Sequence, residues 1–295
     1  MPGELFGHQA FGGDLLLLEE SRKLEDSGLL QDLPKISTGL DQTTPVTLWQ
    51  RELEVFGRLL PPHHQALQDC TGHAWAKALE DWILQEPGDW CGELSTEVLY
   101  GGSRIQIGAG RAKSSGSCCA WVASFLIRFG FLPRGVYGQH DLRLYRADLT
   151  KQFGLTGVPG DLLSSLYRLE AKFPNRQFRV GRLRTGQDAW QAIGARYALP
   201  FACRTGFQLV RGPGGVCAPS GEWNHAMVIR GRFVLQDGRY CVAVQNSMGR
   251  YLGTQNCLVE AVGVEKPVTL PDGVFLMELD VLDQIARQED LYVVF

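Results

Sequence analysis

Residues 64–84 read HQALQDCTGHAWAKALEDWIL. Trp75, Leu79, Trp82 and Ile83 recur at i, i+4, i+7 and i+8, which predicts a helix with one buried stripe. Pro87-Gly88 ends the pattern. At the other end Cys70 stands where the helix would begin, and a helix N-terminus stabilises a thiolate. SSGSCCAWVASF (114–125) repeats the arrangement, with Cys118 and Cys119 before an apolar-periodic run. Two candidate nucleophiles therefore stand at two predicted helix starts.

Working outward, CCAWVASFLIRFG puts Val122, Phe125, Leu126 and Phe129 on one helical face, with Gly130 as C-terminal cap. TGQDAWQAIGARYALP predicts a further helix running to about Tyr197. Upstream, TLWQRELEVFGRLL has helical spacing and is punctuated by Pro61-Pro62, so residues 1–60 read as an N-terminal arm or pro-like extension. Beyond residue 198 the pattern changes. ALPFACR, HAMVIRG, RFVLQ, RYCVAVQ and GVFLMEL are short strand-like runs, and Asp237-Gly238 marks a hairpin. Helices followed by antiparallel strands indicate an α+β fold with two segregated lobes, 61–175 mainly helical and 176–295 mainly β.

Composition narrows the function. The 295 residues are 44% hydrophobic, enough for one two-lobed domain or two modest ones. A net charge of −3 and a pI near 6.1 give no footprint for nucleic acid. Arg176, Arg179, Arg182 and Arg184 read as a solvated face. No apolar run approaches the roughly 18–20 residues of a membrane helix. Leu15–Leu18 is followed by acids and has no basic stretch before it, so neither a membrane partner nor a signal peptide is expected. The expected location is cytoplasmic. Eight cysteines in a chain of this length read as thiols. Without a Cys-x2-Cys or His-x3-His pair, and with RGPGG (211–215) reading as a turn, neither a metal nor a cofactor is expected.

Among the six histidines, His225 opens the strand-like NHAMVIRG, and Asn246 ends the next strand in VAVQNSMG. Adjacent antiparallel strands would set the two side by side. An amide oxygen accepting the Nδ1–H of His225 would fix its tautomer and leave Nε2 for a thiol. A satisfied core histidine beside a turn asparagine is the alternative. Cys203, Cys217, Cys241 and Cys257 fall in strands or loops of the same region, with Cys241 read as packing. Cys91 follows a tryptophan in a loop.

These landmarks carry a resemblance. HQALQDCTGHAWAKALEDWIL is similar to the active-site helix of the papain-like (C1-type) cysteine peptidases, especially their bacterial and phage relatives. ELSTEVLYGGSR (93–104) resembles the family's Leu-Ser helix, and SSGSCCAWVASFLIRFGFLPRGVYG its Gly-Gly loop and following helix. WNHAMVIRG resembles the Asp/Asn-His-Ala strand and VQNSMG the Lys-Asn-Ser-Trp-Gly element. The landmarks follow the family order over about residues 61–295. That order selects Cys70, because a nucleophile at Cys118 would have the Leu-Ser helix before it and no glycine loop after it. The Cys70-to-His225 interval is somewhat longer than the family's roughly 130–150 residues, whereas that from Cys118 is too short.

The resemblance implies a papain-like fold with an active-site cleft between its lobes. It also implies a cysteine peptidase or amidase using Cys70, His225 and Asn246 through an acyl-enzyme on a peptide or protein substrate. Gln65 would join the Cys70 N–H as oxyanion donor, although it stands five residues before the cysteine where the family has six; His64 occupies that place. Gly116 foremost, with Ser115 and Asn224, would line the substrate strand. Met248 replaces the family tryptophan that shields the His–Asn bond, and His73 reads as a partly exposed helix polar group. Two other readings compete. One is an inactive papain-fold component of a virion or other assembly, docked through residues 1–60. The other is an NlpC/P60-type peptidoglycan hydrolase, which lacks the Leu-Ser and Asn-Ser-x-Gly elements.

Overall fold

The computed structural model describes residues 14–32, 43–61, 63–85, 92–112, 115–248 and 257–295. The predicted stop at Pro87-Gly88 and the loop cysteine Cys91 lie outside these residues. In chain order the first elements are α1 (Asp14–Asp26), β1 (Val46–Thr47), α2 (Gln50–Phe56), α3 (Cys70–Leu84), α4 (Thr96–Gly101) and α5 (Cys119–Phe129). A π-helical turn, Gly102–Ile107, continues α4. Next come β2 (Val136–Tyr137), β3 (His140–Asp141), α6 (Ala147–Thr156), α7 (Gly160–Ser164), α8 (Leu169–Lys172), β4 (Val180–Arg182) and α9 (Gly186–Gly194). The chain closes with β5 (Leu199–Phe207), β6 (Pro219–Val234), β7 (Tyr240–Gln245), β8 (Cys257–Val259), β9 (Val268–Leu270), β10 (Val274–Glu278), α10 (Leu279–Gln288) and β11 (Asp290–Val294). It divides into two compact units: residues 1–31, 65–180 and 295, and residues 32–64 and 181–294.

The first unit is built around α3. Trp75, Leu79 and Ile83 have no exposed surface, as the periodicity predicts, but the burial is not confined to their stripe. Every residue from Thr71 to Leu84 is buried, because this helix is enclosed on all sides. Its charged residues survive there through pairing: Lys77 Nζ lies 3.3 Å from Glu80, which also accepts the Leu94 N–H at 3.0 Å. Burial nevertheless pushes the Glu80 carboxyl up. Gly72 lets α3 approach α4, since a Cβ there would stand 2.8 Å from the Thr96 carbonyl oxygen. Glu97 of α4 is fully buried and accepts from Arg134, Ser95 Oγ and the Arg146 N–H. Helix α1 is tied to α5 by Glu20, which accepts from Trp121 Nε1 at 2.7 Å and Arg111 Nη2 at 3.0 Å.

The second unit holds a seven-stranded sheet in the order β10-β7-β6-β5-β11-β4, with β1 also pairing to β6. The Asp237-Gly238 hairpin forms between β6 and β7, with Gly238 at φ 86°. Strand β6 begins at Pro219 rather than beside His225. Its residues before His225 are largely exposed and pair with β5 across two register shifts. Helix α9 stops at Gly194, short of Tyr197, because Arg196 takes the left-handed φ of 67°.

Residues 46–60 are woven into this unit. Val46 and Thr47 pair with Arg232 and Gly231, and Trp49 joins a core cluster with Phe233, Leu235 and Leu276. Glu52 and Arg230, both nearly devoid of exposed surface, form an ion pair at 2.5 Å, and Glu52 also accepts the Leu60 N–H. The arginines expected on a solvated face divide differently. Arg176 stacks 3.8 Å over the Trp82 ring in the first unit, and Arg182 approaches Asp290 at 3.8 Å in the second. Among the described residues, no helix is long and apolar enough to cross a membrane.

Candidate active site

Cys70 is the first residue of α3, in the first unit. The carbonyl of Asp69 accepts from the Gly72 and His73 N–H groups and so starts the helix at the cysteine. Cys70 is partly exposed, whereas Cys118 and Cys119, the other helix-start thiols, are buried. Cys203, Cys217 and Cys241 are buried as well. Burial pushes the Cys241 thiol up to about 12 and the Cys217 thiol up to about 11, which suits packing rather than chemistry.

The segment before Cys70 is held by side chains. Gln65 is partly buried, and its Nε2 donates to the Leu67 carbonyl at 3.0 Å. Its amide is thus turned onto its own loop. The Tyr145 hydroxyl accepts the Ala66 N–H and donates to Asp69 Oδ2 at 2.9 Å. His64, the residue six before the cysteine, is exposed and belongs to the second unit.

The glycine loop before α5 is gripped from below. The Ser115 hydroxyl donates to the Gln68 side-chain amide oxygen, and Tyr100 donates to the Ser115 backbone carbonyl. Burial pushes the Tyr100 phenol up to about 12, so it stays a neutral donor. Arg104 donates to the carbonyls of Gly116, Ala112 (3.1 Å) and Gly154 (2.8 Å). Gly116 is buried and its carbonyl already has a partner, while Ser115 is the exposed member of the loop.

His225 and Asn246 lie in the second unit, both buried, and they are hydrogen-bonded to each other. The nitrogen involved differs from the expectation: Nε2, not Nδ1, faces Asn246 Oδ1 at 2.9 Å. Register explains the difference. Val228 pairs with Gln245, so His225 and Asn246 meet diagonally, and the far ring nitrogen is the one that spans the gap. With Nε2–H donated to the amide oxygen, Nδ1 is the acceptor nitrogen of the neutral ring. Asn224, just before His225, is exposed.

One feature went unread in the sequence, and another differs from its expectation. Trp223 packs its ring edge-on against His225 at 5.5 Å, and Phe207 packs against Trp223 in turn. The i, i+2 spacing in WNH was the available signal, since such residues share a strand face. Met248 therefore does not leave the imidazole without an aromatic neighbour. His73 departs from its expected exposure: it is 2% exposed, and its Nε2 lies 3.2 Å from Asp69 Oδ2. The carboxylate one turn earlier draws the imidazole inward, where a lone histidine would have sought water.

No family model and no curated protein matches the sequence. Solved structures do match in shape. Xylellain, a cysteine protease from Xylella fastidiosa, is 15% identical, covers 90% of each chain and has a TM-score of 0.55. The proform of the Amb a 11 cysteine protease, a major ragweed pollen allergen, is 14% identical over 92% of this chain and 73% of that one, with a TM-score of 0.53. Digestive procathepsin L 3 of the Tenebrio molitor larval midgut is 12% identical over 92% and 78%, with a TM-score of 0.52. At these identities the likeness is one of fold.

Proposed function

We propose that this chain, whose fold is the two-lobed α+β fold of the papain-like cysteine proteases, is a cysteine peptidase or amidase that hydrolyses peptide-type amide bonds. The observation that carries the reading is the buried His225 Nε2–Asn246 Oδ1 hydrogen bond, which fixes one imidazole tautomer. Cys70, partly exposed at the start of α3, is the nucleophile. The helix N-terminus favours its anionic sulfur, and His225 Nδ1 takes and returns the proton.

The sulfur attacks the carbonyl carbon, and the oxyanion is met by the Cys70 N–H. Gln65 supplies a second donor after releasing the Leu67 carbonyl. His225 protonates the departing amine, and a water molecule then resolves the acyl-enzyme. Ser115, Gly116 and Asn224 flank an extended peptide or protein substrate, with Ser115 the more accessible of the loop pair.

The engaged Gln65 amide is the one observation favouring the second reading, an inactive papain-fold component of a virion or other assembly. Alkylation separates the two. Brief treatment with iodoacetamide should label Cys70 ahead of every other cysteine at neutral pH, read by peptide mass spectrometry. Equal labelling of Cys70 and Cys257, the other partly exposed described thiol, would favour the inactive reading.

A further inference from the structure

Asp69, immediately before the proposed nucleophile, is a carboxylate with no exposed surface. Helix capping does not account for it, since its side chain bonds to no N–H of α3. Its Oδ2 instead meets His73 Nε2 at 3.2 Å and the Tyr145 hydroxyl at 2.9 Å. Oδ1 has no hydrogen-bond partner among the described residues. The Tyr145 ring packs 5.3 Å from the His73 imidazole and closes the cluster. An uncompensated buried anion beside a thiol opposes formation of the thiolate, by like-charge repulsion.

The surrounding charges do not supply the compensation. On α4, Glu97 is bound by Arg134 and Tyr100 is a neutral phenol. Arg104 of the π-helical turn is spent on backbone carbonyls. On the approach to α6, Arg143 and Arg146 pair with Asp141 and Asp148, and burial together with the charge of Asp69 pushes the Tyr145 phenol far up. Helix α5 carries Cys119 at its start and Arg128 in its last turn. Further along α3 stand Lys77, Glu80 and Asp81, with Lys77 paired to Glu80. Among the described residues, His73 is the only basic side chain hydrogen-bonded to the Asp69 carboxylate.

We infer that His73 is a positioning residue that holds Asp69 in a net-neutral, proton-sharing pair and so keeps a buried carboxylate from opposing the Cys70 thiolate. The inference rests on Cys70 being the reactive thiol. The pair keeps the aspartate that anchors the Tyr145 hydroxyl, while its charge is cancelled one helical turn away. Tyr145, bonded to both Asp69 and the Ala66 N–H, fixes the pair against the segment that leads into the nucleophile.

The test is the pH dependence of iodoacetamide labelling at Cys70 in the full chain, for the wild type, His73→Gln, Asp69→Asn and the double variant. His73→Gln should move the acid limb upward by about one pH unit or more. The double variant should return it toward the wild-type position, and Asp69→Asn alone should leave it nearly unmoved. An unmoved limb in His73→Gln overturns the inference, and so does an equal shift in the double variant. A purely structural role for His73 would lower folded yield without producing rescue by Asp69→Asn. If His73→Gln does not fold, His73→Lys retains the cation and should keep the limb at or below the wild-type position; a limb above it counts against the pair. A wild-type limb near the ordinary cysteine value of about 8.5 would contradict Cys70 as an activated nucleophile. The difference between variants would still decide the role of His73.

Discussion

His225 donates from Nε2 to Asn246, and that one bond determines which ring nitrogen is the acceptor. Removing the amide in Asn246→Ala frees the ring to turn and to change tautomer. A hydrogen bond to a group that becomes charged is worth about 1.5–3 kcal/mol, so kcat/KM should fall about tenfold to a hundredfold. Steady-state kinetics on a peptide substrate would check it, and an unchanged kcat/KM would remove Asn246 from the mechanism. The pairing itself was legible in the spacing of two strands joined by an Asp-Gly turn. The nitrogen was not, because it depends on a diagonal register that local sequence does not specify. The burial of His73 was missed for a related reason: a histidine four residues after an aspartate reads as a surface pair unless the whole helix is known to be enclosed.

At the scale of elements, the apolar periodicity located α3 and α5 well, and Gly130 closes α5 at φ 97° as expected. What periodicity could not reveal was how completely α3 is surrounded, since its Lys77, Glu80 and Asp81 look like a solvent face. The segment at 46–60 has the same ambiguity. Its charged helix α2 reads as an arm, yet Glu52 is the buried partner of Arg230 and Trp49 belongs to the sheet's core. A removable N-terminal piece would therefore have to end before Val46 to leave this sheet intact. Glu52→Ala should strand the Arg230 guanidinium and destabilise the second unit by about 3–5 kcal/mol. Urea denaturation followed by the fluorescence of Trp49 and the other tryptophans would measure it. A loss below about 1 kcal/mol, the value of a surface pair, would show that Glu52 does not hold this segment in place.

For the whole molecule, helices followed by antiparallel strands sufficed to indicate α+β, and the landmark order pointed to the papain-like fold that the shape comparisons support. The path of the chain between its two units was illegible. Residues 32–64 join the sheet unit, while residues 1–31 and 295 join the helical one, and these assignments depend on long-range pairing rather than on local pattern. The central claim is that Cys70 performs the chemistry. It is tested most directly by incubating the wild type, Cys70→Ala and Cys118→Ala with a complex peptide mixture and counting new N-termini by mass spectrometry. The wild type and Cys118→Ala should generate the same set of new N-termini, and Cys70→Ala should generate none. The same cleavages from Cys70→Ala, or their loss in Cys118→Ala alone, would contradict the account.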